Sequence, residues 1–249
     1  MRNVLALLLL ALIPCTLADT PPPAATDIIR AAMEVWRGES SDGEMTMTIH
    51  RPDWERSMTI HSRTKGLDKS FLIVKAPKKD AGNATLLLDN DMWSYSPRIK
   101  RVIKIPSSMM AQSWMGSDLS NRDITKDTDV IDEYDHTLIG TREQDGHTIY
   151  QIRSIPHEDA PVVWGKEIYS IRDDFLMLQQ EFWDQDNQLV KTIRTLEHQI
   201  INGRPVGTRM RVQDQNKPDE WTELTVDNIQ FDVDIDDNVF TVGQLRSAR

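Results

Sequence analysis

The feature that most constrains the fold is a twofold alternation of apolar and polar residues, interrupted by dipeptides typical of tight turns. The alternation is clearest in residues 44–50 and 57–61. Three dipeptides each lie between two strand-like segments: Asp145-Gly146, Asp186-Asn187 and Asn202-Gly203. Asn, Asp and Gly accept the positive φ values of two-residue hairpin turns, and strands joined so closely must be antiparallel. The sequence therefore predicts a mainly β chain built from hairpins, with one strongly curved sheet favoured over two packed sheets.

The N-terminus has the pattern of a secretory signal peptide. Arg2 precedes an apolar run over residues 4–13, and small residues lead up to Ala18. Ten apolar residues are too few for a membrane-spanning helix, which needs about 20. We therefore expect residues 1–18 to be a signal peptide and the protein to reach the periplasm. In an alternative reading Cys15 is a lipidated N-terminus, but Pro14 stands where lipoprotein processing favours a small residue, so cleavage after Ala18 is the preferred reading.

The rest of the chain contains no linker, repeat or low-complexity block that would divide it. Residues 19–25, with three consecutive prolines, are expected to form an extended leader, and residues 26–249 a single domain. Thr26 or Asp27 is a candidate cap for a first helix that Gly38 ends. Because Cys15 is the only cysteine, the exported chain would contain no disulfide and would depend on packing for its stability.

Charge and motifs exclude several functional classes. The formal net charge of −10 argues against nucleic-acid binding and against electrostatic docking on anionic lipid. No two of the six histidines have a metal-ligand spacing, and His157-Glu158-Asp159 is interpreted as a solvated loop. Residues 232–238 lack the glycine and glutamate of a calcium loop, and Val233 and Ile235 alternate as in a strand, so the stretch is interpreted as a charged edge or exposed face. With no serine-nucleophile motif and no glycine-rich phosphate loop, we predict no catalytic residue, no metal and no cofactor, and so not an enzyme.

One segment interrupts the β pattern. Residues 107–116 contain no β-branched residue, and Met110, Trp114 and Met115 would share one face of a helix that Gly116 ends. This predicted helix has two interpretations: a surface helix that plugs one end of the sheet, or a methionine-rich lid over an apolar cavity. The chain has eleven Met and seven Trp residues, and such adaptable and aromatic side chains suit a cavity for acyl chains.

Several segments, in this order and spacing, carry a resemblance to a known family. They are Leu88 to Pro97, Arg101 to Pro106, Met115 to Ser120, Val163 to Lys166, Gln180 to Asp184 and Asp232 to Thr241. In these segments the chain resembles the bacterial outer-membrane lipoprotein-sorting proteins, which are related to the LolA and LolB carriers. The resemblance extends over nearly all of the chain that follows the signal peptide.

The resemblance implies an unclosed antiparallel β-barrel wrapped around an apolar cavity and covered by a helical lid. It also implies a monomeric carrier for the acyl chains of lipoproteins or of another lipid. Such a carrier would be loaded by an inner-membrane transporter and unloaded at an outer-membrane acceptor. An accessory subunit of an RND-type lipid exporter is the main alternative, and a glycan-binding or hydrolytic module is less favoured.

The resemblance also assigns candidate residues. Those expected in the ligand cavity and its lid are Met45, Met47, Met58, Trp93, Tyr95, Met109, Met110, Trp114, Met115 and Leu119. In LolA-type carriers an arginine on a barrel strand holds the lid, and Arg63 is the nearest equivalent here, although its neighbours Ser62, Thr64 and Lys65 depart from the motif. Arg51, followed by Pro52, is the second candidate for this latch.

Overall fold

The computed structural model describes residues 23–89, 91–125, 130–160 and 162–247. The predicted signal peptide with Cys15, and most of the predicted leader, lie outside these residues. Within them the chain forms thirteen strands and four α-helices. The strands are β1 (Ser40–Arg51), β2 (Trp54–Lys65), β3 (Lys69–Ala76), β4 (Ala84–Leu88), β5 (Asp91–Ser96), β6 (Arg101–Ile105), β7 (Tyr134–Gln144), β8 (His147–Pro156), β9 (Lys166–Arg172), β10 (Met177–Trp183), β11 (Leu189–Ile201), β12 (Arg204–Asp214) and β13 (Trp221–Phe231). The helices are α1 (Ala25–Arg37), α2 (Asn121–Thr125), α3 (Val130–Glu133) and α4 (Val242–Ser247).

All thirteen strands described belong to one antiparallel sheet. Their order is β6-β5-β4-β3-β2-β1-β13-β12-β11-β10-β9-β8-β7, so neighbouring strands are consecutive in the chain everywhere except at the β1–β13 pair. The edge strands β6 and β7 do not pair with each other among the described residues. The predicted mainly β architecture, an antiparallel sheet that curves without closing, is therefore confirmed.

The predicted turns have the backbone angles that their residues favour. Asp145 and Gly146 between β7 and β8 have φ values of 53° and 80°, and Asn202 and Gly203 between β11 and β12 have 51° and 78°. Asn187, between β10 and β11, has a φ of 59°. Positive φ at both central residues is the mark of a type I′ turn, whose twist matches that of the flanking strands. The local turn chemistry therefore determined these hairpins.

The first helix forms as the periodicity indicated. Helix α1 ends at Gly38, whose φ of 67° suits a residue without a Cβ. The helix begins one residue before the predicted caps, at Ala25, and the N-cap residue Ala24 makes no side-chain capping bond. Ile28, Ile29, Ala32 and Met33 are buried, because this face packs against the inner side of β7, β8 and β9.

The sheet is apolar on both faces over part of its length. On the inner face, Met47 and Ile49 of β1 and Met58 and Ile60 of β2 form a packed core. On the outer face of β3, β4 and β5, the C-terminal segment 233–245 covers a second apolar cluster. Successive residues of β3 therefore alternate between two buried environments, which explains why residues 70–74 are all buried.

The prediction of a helix over residues 107–116 is wrong. Only a single 3₁₀ turn forms, at Ser107–Met109, and the chain then continues irregularly. The N–H of Trp114 donates to the Leu119 carbonyl at 2.7 Å, and that of Asn121 donates to the Gln112 carbonyl at 2.9 Å. Because the backbone donors are satisfied within a folded-back loop, no helical ladder is needed. We call residues 107–120 the Met-rich loop.

The three Asp side chains of the acidic segment 232–236 are exposed, although the segment is not a strand. It is an irregular stretch that leads into a 3₁₀ turn at Asp237–Val239, and the Asp236 side chain caps this turn by accepting from the N–H of Asn238. Ile235 of this segment is buried in the outer cluster, so its apolar contacts come from tertiary packing and not from a strand.

None of the helices in the part of the chain that the structure describes has the length and hydropathy required to cross a bilayer.

The close approach of Gly43 in β1 to the backbone of β13 provides a test of the sheet register. A Cβ at Gly43 of β1 would lie 2.6 Å from the Asn228 carbonyl oxygen and 3.1 Å from the Ile229 Cα, both on the neighbouring strand β13. Gly43→Ala is expected to lower the free energy of unfolding by about 1–3 kcal/mol, because backbone must move to admit the methyl group. Gly140→Ala is the matched control, since its nearest neighbour would be the flexible Gln151 side chain at 3.7 Å. Urea denaturation measures both, and equal effects would contradict the register.

Candidate ligand-binding cavity

The curvature of the sheet leaves a cavity of about 260 Å³ between its inner face and the helices. Helix α1, strands β1–β3 and β9–β13, residues 119–124 and Val130 all contribute to its wall. The apolar side chains that line it include Met33, Trp36, Met45, Leu178, Ile193, Met210, Leu224 and Val226. The cavity is therefore a mainly apolar site of the kind that small apolar ligands occupy.

Strand alternation explains how these side chains reach the cavity. Met45 and Val226 are cross-strand partners in β1 and β13, and both line it. The register shifts at this point, because Asp227 is an extra residue in β13 between the pairs Glu44–Asn228 and Met45–Val226. Such a bulge bends a strand and increases its twist, which promotes the curvature that the cavity requires.

The structure brings together many of the predicted cavity and lid residues. Met45 and Leu119 line the cavity itself. The next set lies beside it in one packed apolar core: Met47, Met58, Met110 and Trp114, with Met115 packed against them. The Trp114 indole donates from Nε1 to the Thr85 hydroxyl at 3.1 Å, so its polar atom is satisfied inside this core. The Met-rich loop therefore covers one end of the sheet, with most of its apolar side chains turned inward.

Three other predicted residues are placed elsewhere. Trp93 and Tyr95 do lie on a strand, β5, but on its outer face, where they pack against the C-terminal segment. Met109 is half-buried in the Met-rich loop, and its carbonyl accepts from the Asn121 amide at 2.9 Å. The structure therefore separates Trp93 and Tyr95 from the cavity by the thickness of the sheet.

The two candidate latch arginines differ in what they contact. Arg51, at the end of β1, forms a bidentate pair with Asp118 of the Met-rich loop, with N–O distances of 3.0 and 3.1 Å. The Asp118 carboxylate also accepts from the Thr222 hydroxyl at 2.6 Å. Arg63 instead donates to Asp42, its cross-strand partner within the sheet, at 2.7 Å. Of the two, Arg51 is the one placed to hold the loop.

A second ion pair fastens the chain that follows the loop. The Lys191 ammonium lies 2.6 Å from the Asp123 carboxylate of α2, and both side chains are 9% exposed. The ammonium also lies 4.1 Å from the centre of the Phe182 ring and 5.3 Å from that of Trp164. A buried cation is stabilised by a paired carboxylate and by aromatic faces. Sequence reasoning did not identify this site, although Lys191 shares a strand face with the apolar Ile193, which is an unusual position for a lysine.

The cavity wall also carries a buried carboxyl that sequence reasoning missed. Glu167 of β9 is 4% exposed and accepts hydrogen bonds from three side chains. Tyr134 donates to it at 2.7 Å, Gln180 donates at 2.8 Å, and Tyr169 donates to the same oxygen as Gln180. Burial raises the pKa of Glu167 and also raises that of Tyr169. The group places a buried carboxyl in the wall of a mainly apolar cavity. Its signal in the sequence was a glutamate in step with Tyr169 and Ile171.

The described residues contain one side-chain group with spacing suited to a metal ion: His147, Asp173 and Asp174, whose ligand atoms lie within 4.8 Å of one another. His147 pairs with Asp173 at 2.6 Å, and Asp174 pairs with Arg172, so these charges are already matched. The predicted solvated loop around His157 is a turn with exposed side chains.

The latch arrangement makes a prediction about loop dynamics. Arg51→Met removes both bonds to Asp118 and leaves a poorly exposed carboxylate without its cation, which favours opening of the loop. Hydrogen exchange is expected to accelerate at the amides of Trp114, Ser117 and Asn121, which are protected by bonds within the loop. Arg63→Met serves as the control, because its partner lies within the sheet. Equal exchange in both variants would exclude Arg51 as the latch.

The buried carboxyl makes a prediction about pH. Because the pKa of Glu167 is raised in the folded protein, its contribution to stability is present at low pH and is lost as the pH rises above the ordinary value of 4.5. Glu167→Gln removes this ionisation. The free energy of unfolding of the variant, relative to the original protein, is therefore expected to increase with pH between 4.5 and 8. Urea denaturation across this range measures the difference, and a difference that does not change with pH would contradict the raised pKa.

Comparisons with known proteins agree with this architecture. A crystal structure of a DUF1329 family protein from Desulfovibrio piger is 28% identical, with a TM-score of 0.81, and covers 89% of this chain and 98% of its own. An outer membrane lipoprotein-sorting protein domain from Vibrio parahaemolyticus is 21% identical, with a TM-score of 0.78 and coverages of 89% and 98%. A LolA superfamily protein from Nitrosomonas europaea is 22% identical, with a TM-score of 0.75 and coverages of 90% and 100%.

No curated protein matches the sequence. A family model described as "Uncharacterized protein" matches residues 66–247, which is more than half of the chain. The chain therefore belongs to the family that this model describes, and it shares its fold with a LolA superfamily protein and a lipoprotein-sorting protein domain.

Proposed function

We propose that this protein is a periplasmic carrier that holds the acyl chains of a lipoprotein or another lipid in its cavity. The observation that supports this most directly is an apolar cavity inside an open sheet, next to a loop fastened by side-chain ion pairs. The fold that this chain shares with an outer membrane lipoprotein-sorting protein domain and with a LolA superfamily protein supports a carrier rather than an enzyme. Delivery would proceed from an inner-membrane transporter towards the outer membrane. The predicted signal peptide over residues 1–18 is the reason to expect the periplasm.

The energetics of acyl chains explain why a carrier needs such a site. Each methylene removed from water contributes about 0.8 kcal/mol, so an acyl chain leaves a bilayer only into another apolar environment. The cavity wall provides that environment through flexible methionines such as Met33, Met45 and Met210, which adapt to chains of different shape. The lining therefore suits cargo recognised by its hydrocarbon rather than by a rigid outline.

The Met-rich loop would act as the lid. It packs Met110 and Trp114 over the inner core and is held by the Arg51–Asp118 pair. Breaking a buried ion pair is costly when its charged partners stay unpaired. A membrane complex that supplies new partners to Arg51 and Asp118 would offset this cost. Arg51 therefore takes the latch role in this proposal, and Met109 and Met115 belong to the moving segment.

The carrier proposal is tested by filling the cavity. Val226→Trp and Met210→Trp place an indole into the space that the ligand would occupy, so both variants are expected to lose co-purifying lipid and to bind a fluorescent long-chain fatty acid at least tenfold more weakly. Ile200→Trp is the control, because Ile200 is 63% exposed. Native mass spectrometry of protein purified without detergent measures the lipid, and circular dichroism confirms that each variant is folded.

Two results would contradict the proposal. One is the absence of extractable lipid together with no binding of the fatty acid by the delipidated protein. The other is unchanged fatty-acid binding in both folded cavity variants. If the unsubstituted protein carried no lipid, yet it and both cavity variants were pulled down with an inner-membrane transporter, the accessory-subunit alternative would replace the carrier.

A further inference from the structure

The charge of the chain is distributed unevenly. Residues 69–117 contain eight Lys and Arg residues and three Asp residues, a local net charge of +5 in a protein whose total is −10. The stretch 92–117 contains no acidic residue at all. This segment comprises strands β3 to β6 and most of the Met-rich loop, so one edge region of the sheet is basic while the rest of the molecule is strongly acidic.

Folding concentrates five of these cations at one place. The loop that follows β3 and the loop that follows β5 lie at the same end of the sheet, and Arg98 donates from Nη2 to the Lys79 carbonyl at 3.4 Å between them. We call this site the basic tip and define it by its exposed residues Lys78, Lys79, Arg98, Ile99, Lys100 and Arg101. None of its five cations forms an ion pair with an acidic residue among the described residues.

The three acidic residues of the same segment do not neutralise the tip. Asp89 lies between β4 and β5, at the end of these strands away from the tip. Asp80 is 8% exposed and is paired with Arg56 at 2.9 Å. Asp91 is paired with Lys104 at 2.6 Å, at the other end of β5 and β6. Exposed charges farther away than about 10 Å are largely screened at physiological salt, so the acidic remainder of the surface acts weakly here.

An exposed apolar side chain stands among these cations. Ile99 is 56% exposed and lies in the loop between Arg98 and Lys100. Ile103, on the adjoining strand β6, is 47% exposed. Cations attract anionic lipid headgroups, and an aliphatic side chain between them can enter the interface. The combination matches a membrane surface better than it matches an acidic protein, for which the isoleucine would have no particular use.

We infer that the basic tip docks on the anionic phospholipid headgroups of a membrane surface, with Ile99 inserted at the interface. Total net charge by itself predicts that the chain avoids anionic lipid, but it is the local charge at the tip that determines such docking. Arg56 connects the tip to the loop, since it pairs with Asp80 and also donates to the Met115 carbonyl at 3.4 Å. Docking at the tip would therefore bring the Met-rich loop next to the bilayer.

The test is flotation of the purified protein with lipid vesicles. Cys15→Ser is included in every protein so that no lipid anchor contributes. Vesicles of phosphatidylcholine alone are compared with vesicles of equal parts phosphatidylcholine and phosphatidylglycerol. We expect binding to the anionic vesicles only, and weaker binding as salt is added. The variant Lys78→Glu, Lys100→Glu, Arg101→Glu is expected to bind at least tenfold more weakly, since each cation near such a surface contributes on the order of fivefold.

The control makes the same change of net charge elsewhere. Arg142→Glu, Arg153→Glu, Arg194→Glu alters three exposed positions on β7, β8 and β11 and is expected to keep vesicle binding. Ile99→Asp is expected to weaken binding by itself. Equal losses in the two triple variants, equal binding to neutral and anionic vesicles, or no vesicle binding at all would overturn the inference. None of these measurements requires a ligand in the cavity, so failure here is distinguishable from failure of the carrier proposal.

Discussion

The position of residues 118–123, which cover part of the cavity, depends on two ion pairs with little exposure to solvent. These pairs are Arg51–Asp118 and Lys191–Asp123. They lie on strands β1 and β11, and so tie residues 118–123 to two separate parts of the sheet. Such pairs contribute little net stability, because desolvation offsets most of their attraction, but removing one partner is costly. They therefore determine where the segment lies more than how stable the protein is, and this is a suitable property for a segment that must be held and released.

The cavity follows from the open sheet. A sheet of thirteen strands that does not close leaves more space inside than its own side chains fill, and α1, α2 and the Met-rich loop cover only part of it. Most of the wall is apolar, yet Glu167 lies there with Tyr134, Tyr169 and Gln180 donating to it. A buried carboxyl with this many donors is satisfied at considerable cost in desolvation, which is the physical reason its pKa is raised.

Sequence reasoning was reliable where neighbouring residues decide the structure. The turns at Asp145-Gly146 and Asn202-Gly203 were predicted because positive φ is a local preference, and the antiparallel hairpins follow from them. Residues 107–116 show the opposite case. Their composition permits a helix, but long-range packing of Met110 and Trp114 into the core, together with the Arg51–Asp118 pair, favours an irregular loop. The same limit applies to Trp93 and Tyr95: alternation showed that they share a face, and not that this face is the outer one.

By itself the sequence determined that this chain is mainly β and forms antiparallel hairpins in a curved sheet, since turn chemistry and twofold alternation act over a few residues. The resemblance to lipoprotein-sorting proteins added the unclosed barrel. Only the tertiary structure decided which side chains line the cavity, that Arg51 rather than Arg63 reaches the Met-rich loop, and that scattered lysines and arginines form one basic tip. These features join residues far apart in the chain, such as Lys191 with Asp123, and their energies depend on burial and distance, which no local pattern specifies.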